Sequence, residues 1–206
     1  MGNVQKDIAP LFGLVLMGGK SHRMGANKAE LVYHEQAQYL HLYKLLDLFC
    51  ENTFLSLNTS QSIYKEQHIK VILDNNQYAG PYNGLMSAYD AYPHVAWLVV
   101  ACDLPFLGQN ELKALLQGRN PNKPATALTS TATGIPEPLI CIWEPHGLQM
   151  AKAYMMHSGN ISPKHFLIHS DAKRVFVDNE ECLFNANTQE DFEFAKRKID
   201  NSEQKE

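Results

Sequence analysis

Two clusters of residues in this sequence have the types and spacing to do chemistry. The first is Leu16-Met17-Gly18-Gly19-Lys20-Ser21-His22-Arg23-Met24-Gly25-Ala26-Asn27-Lys28. Paired glycines let the backbone turn sharply and approach a ligand without a Cβ in the way. The N–H groups of such a loop can converge on an anion, and Arg23 and Lys28 add fixed positive charge for phosphate oxygens. The simplest ligand is a nucleoside triphosphate. The second cluster is Cys102-Asp103-Leu104-Pro105-Phe106, a carboxylate leaving an apolar run. A carboxylate there can hold a Mg²⁺ ion that bridges phosphates. Asp103 stands several residues before the helix predicted at 109–116, too far to cap it, so a functional role is favoured.

Two familiar phosphate loops are excluded. The P-loop pattern needs a glycine five positions before Gly19, and Leu14 stands there. The dinucleotide fingerprint G-x-G-x-x-G is absent from this stretch.

The elements that must position these residues follow from periodicity. Leu11–Met17 and Val95–Ala101 are short runs apolar on both sides, as expected of strands buried on two faces. Further strands are predicted at 53–58, 70–73, 125–128, 139–143 and 174–177, with a short extended piece at 30–33. Helices are predicted at 35–50, 61–67, 82–92, 109–116, 147–156, 163–169 and 189–199. Strands alternating with helices indicate a largely parallel sheet. Ligands of such sheets bind beyond the carboxyl ends of the strands. That places Ser56 and Asn58, after the second strand, and Asp74, after the third, beside the glycine loop, although turn closure explains such residues equally well. Gly80-Pro81-Tyr82-Asn83-Gly84 opens a helix, with Pro81 at a first-turn position where its missing N–H costs nothing.

The loop and C-D-L-P-F together resemble the MobA-like nucleotidyltransferases, the molybdenum cofactor guanylyltransferases. Their loop is close to L-A-G-G-x-S-x-R-M-G-x-D-K; here Met17 replaces a small residue and Asn27 an aspartate. Three weaker likenesses follow in the same order: Ser56-Leu57-Asn58 with Asp74, Gly80 to Gly84, and Asn185-Ala186-Asn187-Thr188. The resemblance spans residues 11–198.

It implies one three-layer α/β/α domain, 1–206, with a Rossmann-like, mostly parallel sheet of the nucleotidyltransferase (glycosyltransferase-A-like) fold. Residues 11–120 would be the nucleotide half, 121–199 the acceptor half and 200–206 a frayed tail. The implied activity is Mg²⁺-dependent transfer of GMP from GTP to the phosphate of molybdopterin cofactor. Asp103 would hold the metal. Gly18, Gly19, Arg23 and Lys28 would hold the triphosphate, with Leu16 and Met17 at the base. Ser56, Asn58, Asp74, Gly80 and Gly84 would lie near the nucleoside, and Asn185 and Asn187 toward the acceptor. Transfer from CTP, transfer to a sugar or alcohol phosphate, and a nucleotide-binding regulator without turnover remain open. The lost carboxylate at Asn27 is the one feature that favours the regulator.

Composition narrows the setting. The 206 residues suit one domain with a sizeable core, and 45% hydrophobic and 19% charged content fits a globular chain. A net charge of −4 argues against a nucleic-acid footprint, so phosphate binding must be local. Cys50, Cys102, Cys141 and Cys182 are dispersed, which suits reduced thiols and a cytoplasmic location. The start MGNVQKDIAP lacks an apolar signal region, and Lys6 stands where myristoylation needs Ser or Thr. The longest apolar run, Val95–Cys102, is too short for a membrane span.

Other pairs have modest readings. Ser162-Pro163 resembles a helix cap and first residue, and Thr188 with Asp191 a capping pair. Thr188 is explained by capping; the two asparagines before it are not. His165 and His169 share a helix face but lack the glutamate of a zinc-protease motif, and surface histidines are the expectation. Glu137, before Pro138-Leu139, is expected either at the acceptor or in a solvated turn.

Overall fold

The computed structural model describes residues 8–17, 28–58 and 68–203. The helix predicted at 61–67 lies outside them. Seven strands form one sheet in the order β3-β2-β1-β4-β6-β5-β7. The strands are β1 (Leu11–Leu16), β2 (Asn52–Leu57), β3 (Lys70–Leu73), β4 (Ala96–Ala101), β5 (Ala125–Ser130), β6 (Pro136–Trp143) and β7 (Lys173–Val177). Only β6 runs against its neighbours; the pairings β1·β2, β1·β4, β2·β3 and β5·β7 are all parallel.

Six α-helices complete the described residues: α1 (Gln38–Asp47), α2 (Pro81–Ala91), α3 (Gln109–Gln117), α4 (Pro145–Ser158), α5 (Pro163–His169) and α6 (Gln189–Glu203). β1 and β4 are buried on both faces because side chains alternate across a strand. Val15, Leu98 and Val100 meet Leu42 and Leu46 of α1 and Leu112 and Leu115 of α3. Leu14, Trp97 and Val99 meet Leu85 and Met86 of α2, Leu148 and Ala151 of α4, and Phe166 of α5. The result is the three-layer α/β/α arrangement that the resemblance implies.

A third, smaller core lies beyond the strand ends. Tyr33, Ala186, Ala195 and Ile199 pack together, with Leu31, Phe106, Phe184 and Phe192 against them. This core fastens α6 across the segments that follow β1 and β4.

Several boundaries differ from the sequence reading. The extended piece predicted at 30–33 is not a strand, and a 3-10 turn at Lys28–Glu30 runs into its first residue. α1 begins at Gln38, because Gln38 N donates to Leu31 O at 2.9 Å and the preceding Ala37 is extended at ψ 140°. β6 starts at Pro136, three residues early, pairing with Thr129 of β5. α6 runs through residues 200–203, which the frayed-tail reading leaves unstructured. The Lys196–Asp200 ion pair at 2.8 Å and the buried Ile199 support that extra turn.

The two capping readings are met in the structure. His165 N donates to Ser162 Oγ. Thr188 N donates to Asp191 Oδ2 at 2.9 Å, and Asp191 N donates to Thr188 Oγ1 at 3.1 Å. The four cysteines are free thiols. Among the described residues, no helix is long and apolar enough to cross a membrane.

Candidate active site

The sheet has a switch point. The chain moves outward from β1 to β2 and β3, then α2 carries it back to β4 on the other side of β1. α1 and α2 lie on opposite faces, and the carboxyl ends of the paired β1 and β4 mark this point of reversal, the place where open α/β sheets bind their ligands. Leu16 is the last residue of β1, and Met17 follows it, 1% exposed. Cys102 leaves β4 beside them: its N–H donates to Leu16 O at 3.1 Å and its Sγ–H to Met17 O at 3.0 Å. Met17, the last described residue before the glycine loop, and Cys102, which opens C-D-L-P-F, therefore lie side by side. Gly18, Gly19 and Arg23, and the side chain of Lys28, lie outside the described residues.

Asp103, the next residue, is half-buried. It does not cap α3, whose first residue follows Gly108; there Glu111 Oε2 accepts from Gly108 N at 3.1 Å. The segment behind Asp103 is fixed by side chains from far away in sequence. Gln38 Nε2, fully buried, donates to Leu104 O at 3.0 Å. His34 Nε2 lies 3.1 Å from Pro105 O. Ala186 N donates to Asp103 O at 2.9 Å.

The negative charge of Asp103 is felt nearby. The Tyr33 phenol is pushed well above its usual range by burial, then by Cys102 and Asp103. Burial raises the Glu137 carboxyl, and Asp103 raises it further, against the opposing effects of the Leu139 N–H and Lys164.

On the other side of β1, Asp74 is the centre of a hydrogen-bonded knot. Ser56 Oγ donates to Asp74 Oδ1 at 2.6 Å, and Asn83 Nδ2 donates to Asp74 Oδ2 at 3.1 Å. Asn83 Oδ1 accepts from Tyr78 N, and its carbonyl accepts from Ser87 Oγ. Asp74 thus holds the Gly80–Gly84 turn against the end of β2. Gly80 has φ +59°, a left-handed conformation that glycine tolerates best. Gly84 is a close-approach position: a Cβ there would stand 2.3 Å from Ser56 Oγ and 2.7 Å from Leu16 Cδ2. Pro81 occupies the first turn of α2, as its sequence position predicts. Asn58 follows β2, half-buried, at the same edge of the sheet.

The second half of the chain supplies a groove of about 610 Å³. It lies between the β5–β6 turn, α5, the segment 180–185 and α6. Phe106, three residues after Asp103, forms part of its wall, and so does Asn185. Asn185 donates through Nδ2 to Leu183 O at 2.9 Å, while the exposed Asn187 donates to Asn185 O at 3.3 Å. Glu137 also lines the groove, with its side chain 16% exposed, so it is not in a solvated turn. Gln38 and Phe194, which α6 adds to the aromatic wall of the groove, have no signature in the sequence motifs. A glutamine at an otherwise apolar position of α1 is the one hint.

Among the described residues no three His, Cys, Asp or Glu side chains converge to cage a metal. One carboxylate is nevertheless enough for Mg²⁺, which commonly takes one or two carboxylates and completes its shell with substrate phosphates and water. His165 and His169 stack at 4.0 Å, and His165 Nδ1 lies 2.6 Å from Tyr154 Oη.

A mostly parallel sheet with helices on both faces and a carboxylate just beyond the carboxyl end of a central strand is the arrangement of an α/β protein of the nucleotide-binding class. The profile of the MobA-like NTP transferase domain matches residues 13–171. The chain belongs to this family of nucleotidyltransferases. It is 33% identical over 193 residues to a Synechocystis molybdenum cofactor biosynthesis bifunctional protein; the match takes in 93% of this chain and 55% of that one. The chain thus spans about half the length of that relative. It is 28% identical to a Pseudomonas fluorescens molybdenum cofactor guanylyltransferase, over 89% of this chain and 92% of the other. The fold is similar to a crystal structure of molybdopterin-guanine dinucleotide biosynthesis protein A from Archaeoglobus fulgidus, with TM-score 0.75 and 19% identity. That match covers 92% of this chain and 99% of the other.

Proposed function

We propose that the chain transfers GMP from GTP to the terminal phosphate of a molybdopterin-type cofactor, releasing pyrophosphate. One observation carries this reading: Asp103 leaves β4 beside the end of β1, and its carbonyl accepts from Ala186 N, next to Asn185 of the groove that Phe106 also lines. A nucleotide bound beyond the ends of β1 and β4 and a phosphorylated acceptor in the groove would meet near its carboxylate. The relatives named molybdenum cofactor guanylyltransferase point to GTP and molybdopterin as that pair.

In the reaction a phosphate oxygen of the acceptor forms a bond to the α-phosphorus of GTP as the bond from that phosphorus to the bridging oxygen of pyrophosphate breaks. No protein nucleophile is required, because the acceptor phosphate is already an anion. The chain's task is to hold two anions in line and offset their repulsion. Gly18 and Gly19 N–H groups with Arg23 and Lys28 are assigned to the triphosphate and to the charge growing on pyrophosphate. The Asp74 knot presents the Gly80–Gly84 turn and the start of α2 to the nucleoside, with Ser56 and Asn58 alongside and the backbone of Leu16 and Met17 at the base. Asn185 faces the acceptor, with Asn187 bracing it.

A divalent cation, Mg²⁺ in this reading, is assigned to Asp103. It supplies electrostatic neutralisation of the phosphates between which the transfer occurs. A single carboxylate at the end of a central strand, with phosphates and water to complete the shell, supports that assignment.

The test is Mg²⁺-dependent pyrophosphate release with GTP, CTP, ATP and UTP, each with and without molybdopterin cofactor. Release with GTP alone, and only with cofactor, is expected. Release with CTP would keep the mechanism and change the base. Nucleotide binding without release would favour the regulator and direct attention to Asn27.

A further inference from the structure

The groove beside Asp103 has a composition that selects one end of its ligand. Its walls carry Phe106, Phe184 and Phe194, whose ring centroids lie 5.5 to 6.3 Å apart, together with Ile135 and Leu183. Phe194 and Ile135 remain 46% and 43% exposed, an apolar surface of the kind a flat ring covers. Its charged groups are three carboxylates, Glu137, Glu180 and Glu181, against two ammonium groups, Lys164 and Lys198. Lys198 is already paired with Glu181. Glu180 Oε1 accepts from Ser130 Oγ at 2.9 Å and Ala132 N at 2.7 Å. The remaining balance does not suit a phosphate. The phosphate end of an acceptor belongs toward Asp103, and its uncharged heterocycle in the groove.

Glu137 is a shielded carboxylate of the groove, its side chain 16% exposed, with acceptor capacity left over. Its Oε1 accepts from Leu139 N at 3.1 Å, and its Oε2 lies 4.0 Å from Lys164 Nζ. Each carboxylate oxygen carries two acceptor sites, so one on each oxygen is available for a ligand. Two parallel acceptor sites match two adjacent N–H donors, the geometry by which a carboxylate holds a planar guanidinium-like edge. The leading ligand edge of that kind is a 2-amino-4-oxopyrimidine ring, whose N3–H and 2-amino group stand side by side.

We infer that Glu137 reads the 2-amino-4-oxopyrimidine edge of the acceptor's heterocycle, which lies along the Phe106, Phe184 and Phe194 wall of the groove. This rests on the acceptor assignment above and makes Glu137 a specificity-determining residue on the side opposite the nucleotide.

The experiment uses the full chain and two probes, 6-hydroxymethylpterin, which has the amino-oxo edge, and lumazine, which carries a carbonyl in place of the amino group. Binding is followed by ligand fluorescence for the unaltered chain and for Glu137→Gln. The pterin is expected to bind more tightly than lumazine, and Glu137→Gln to weaken the pterin by about ten- to a hundredfold while leaving lumazine little changed. In turnover, Glu137→Gln raises KM for the acceptor by a similar factor and leaves KM for GTP unchanged. Equal binding of the two probes, no binding of the pterin, or an unaltered acceptor KM in Glu137→Gln overturns the inference. If Glu137→Gln does not fold, the comparison of probes on the unaltered chain decides it. Failure of the broader reading shows separately, as absence of pyrophosphate release by the unaltered chain with GTP and cofactor.

Discussion

Ala186 N donates to the carbonyl of Asp103 at 2.9 Å, joining two segments eighty-three residues apart in sequence. The bond uses the backbone of Asp103 and leaves its carboxylate directed by the exit of β4. It also ties the carboxylate's position to the Asn185–Asn187 segment, so the two substrate sides share one anchor.

Asp103→Ala retains that bond because it changes only the side chain. Turnover is expected to fall by about a thousandfold or more, with stability within about 1 kcal/mol of the original. Pyrophosphate release titrated with Mg²⁺, beside a urea melt, checks both. Near-normal turnover would remove Asp103 from the metal.

Gly84→Ala drives a Cβ into Ser56 Oγ and Leu16 Cδ2 and is expected to cost about 1–3 kcal/mol. Ser56→Ala takes one partner from the Asp74 carboxylate and costs about 1–3 kcal/mol. Combined, the two should cost less than their sum, since the hydroxyl in the clash is gone. Urea denaturation of the two single variants and the double variant measures the coupling; strict additivity would show that the turn relaxes independently of Ser56.

Arg119 and Glu144 form a shielded pair at 2.7 Å, with side chains 13% and 2% exposed. Arg119 Nη2 also donates to Ala9 O at 2.9 Å, just ahead of β1. Arg119→Ala strands a buried carboxylate and is expected to cost about 3–5 kcal/mol. Adding Glu144→Gln should restore part of the loss. The same denaturant measurement decides it, and a cost below about 1 kcal/mol would mean that water replaces the guanidinium.

His41 supplies a pH dependence. Its imidazole is pushed down to about 4 by burial, then by His34 stacked on it at 3.9 Å, then by Lys44. The unfolded chain, with a histidine near 6.5, then binds more protons than the folded one between those values. Stability therefore rises with pH across that window and is fully present above 6.5. His41→Phe should flatten the slope of unfolding free energy against pH from 4 to 6.5. An unchanged slope would assign the dependence to other groups.

The strands were legible where one rule dominates. β1 and β4 are short apolar runs because both their faces are covered, and Asp103 stands out as the carboxylate that ends such a run. β6 was harder: Pro136 and Pro138 each lack a donor, and they read as turn residues. Pairing with β5 makes strand of that stretch, and pairing is not a local property. Gln38 was hidden for a similar reason. Its partner, Leu104 O, lies 66 residues away, and periodicity alone assigns a glutamine to water. The aromatic wall of the groove comes from three separate segments, so no stretch of sequence displays it.

The stretch that the family's profile matches ends at Asp171, yet the sheet does not: β7 pairs with β5 beyond that point, and α6 closes over Tyr33. Ala186, which holds the carbonyl of Asp103, and Asn185 and Phe194, which wall the groove, all come from beyond that boundary. A chain cut at residue 171 would therefore keep the central strands and lose both the brace behind Asp103 and one side of the groove.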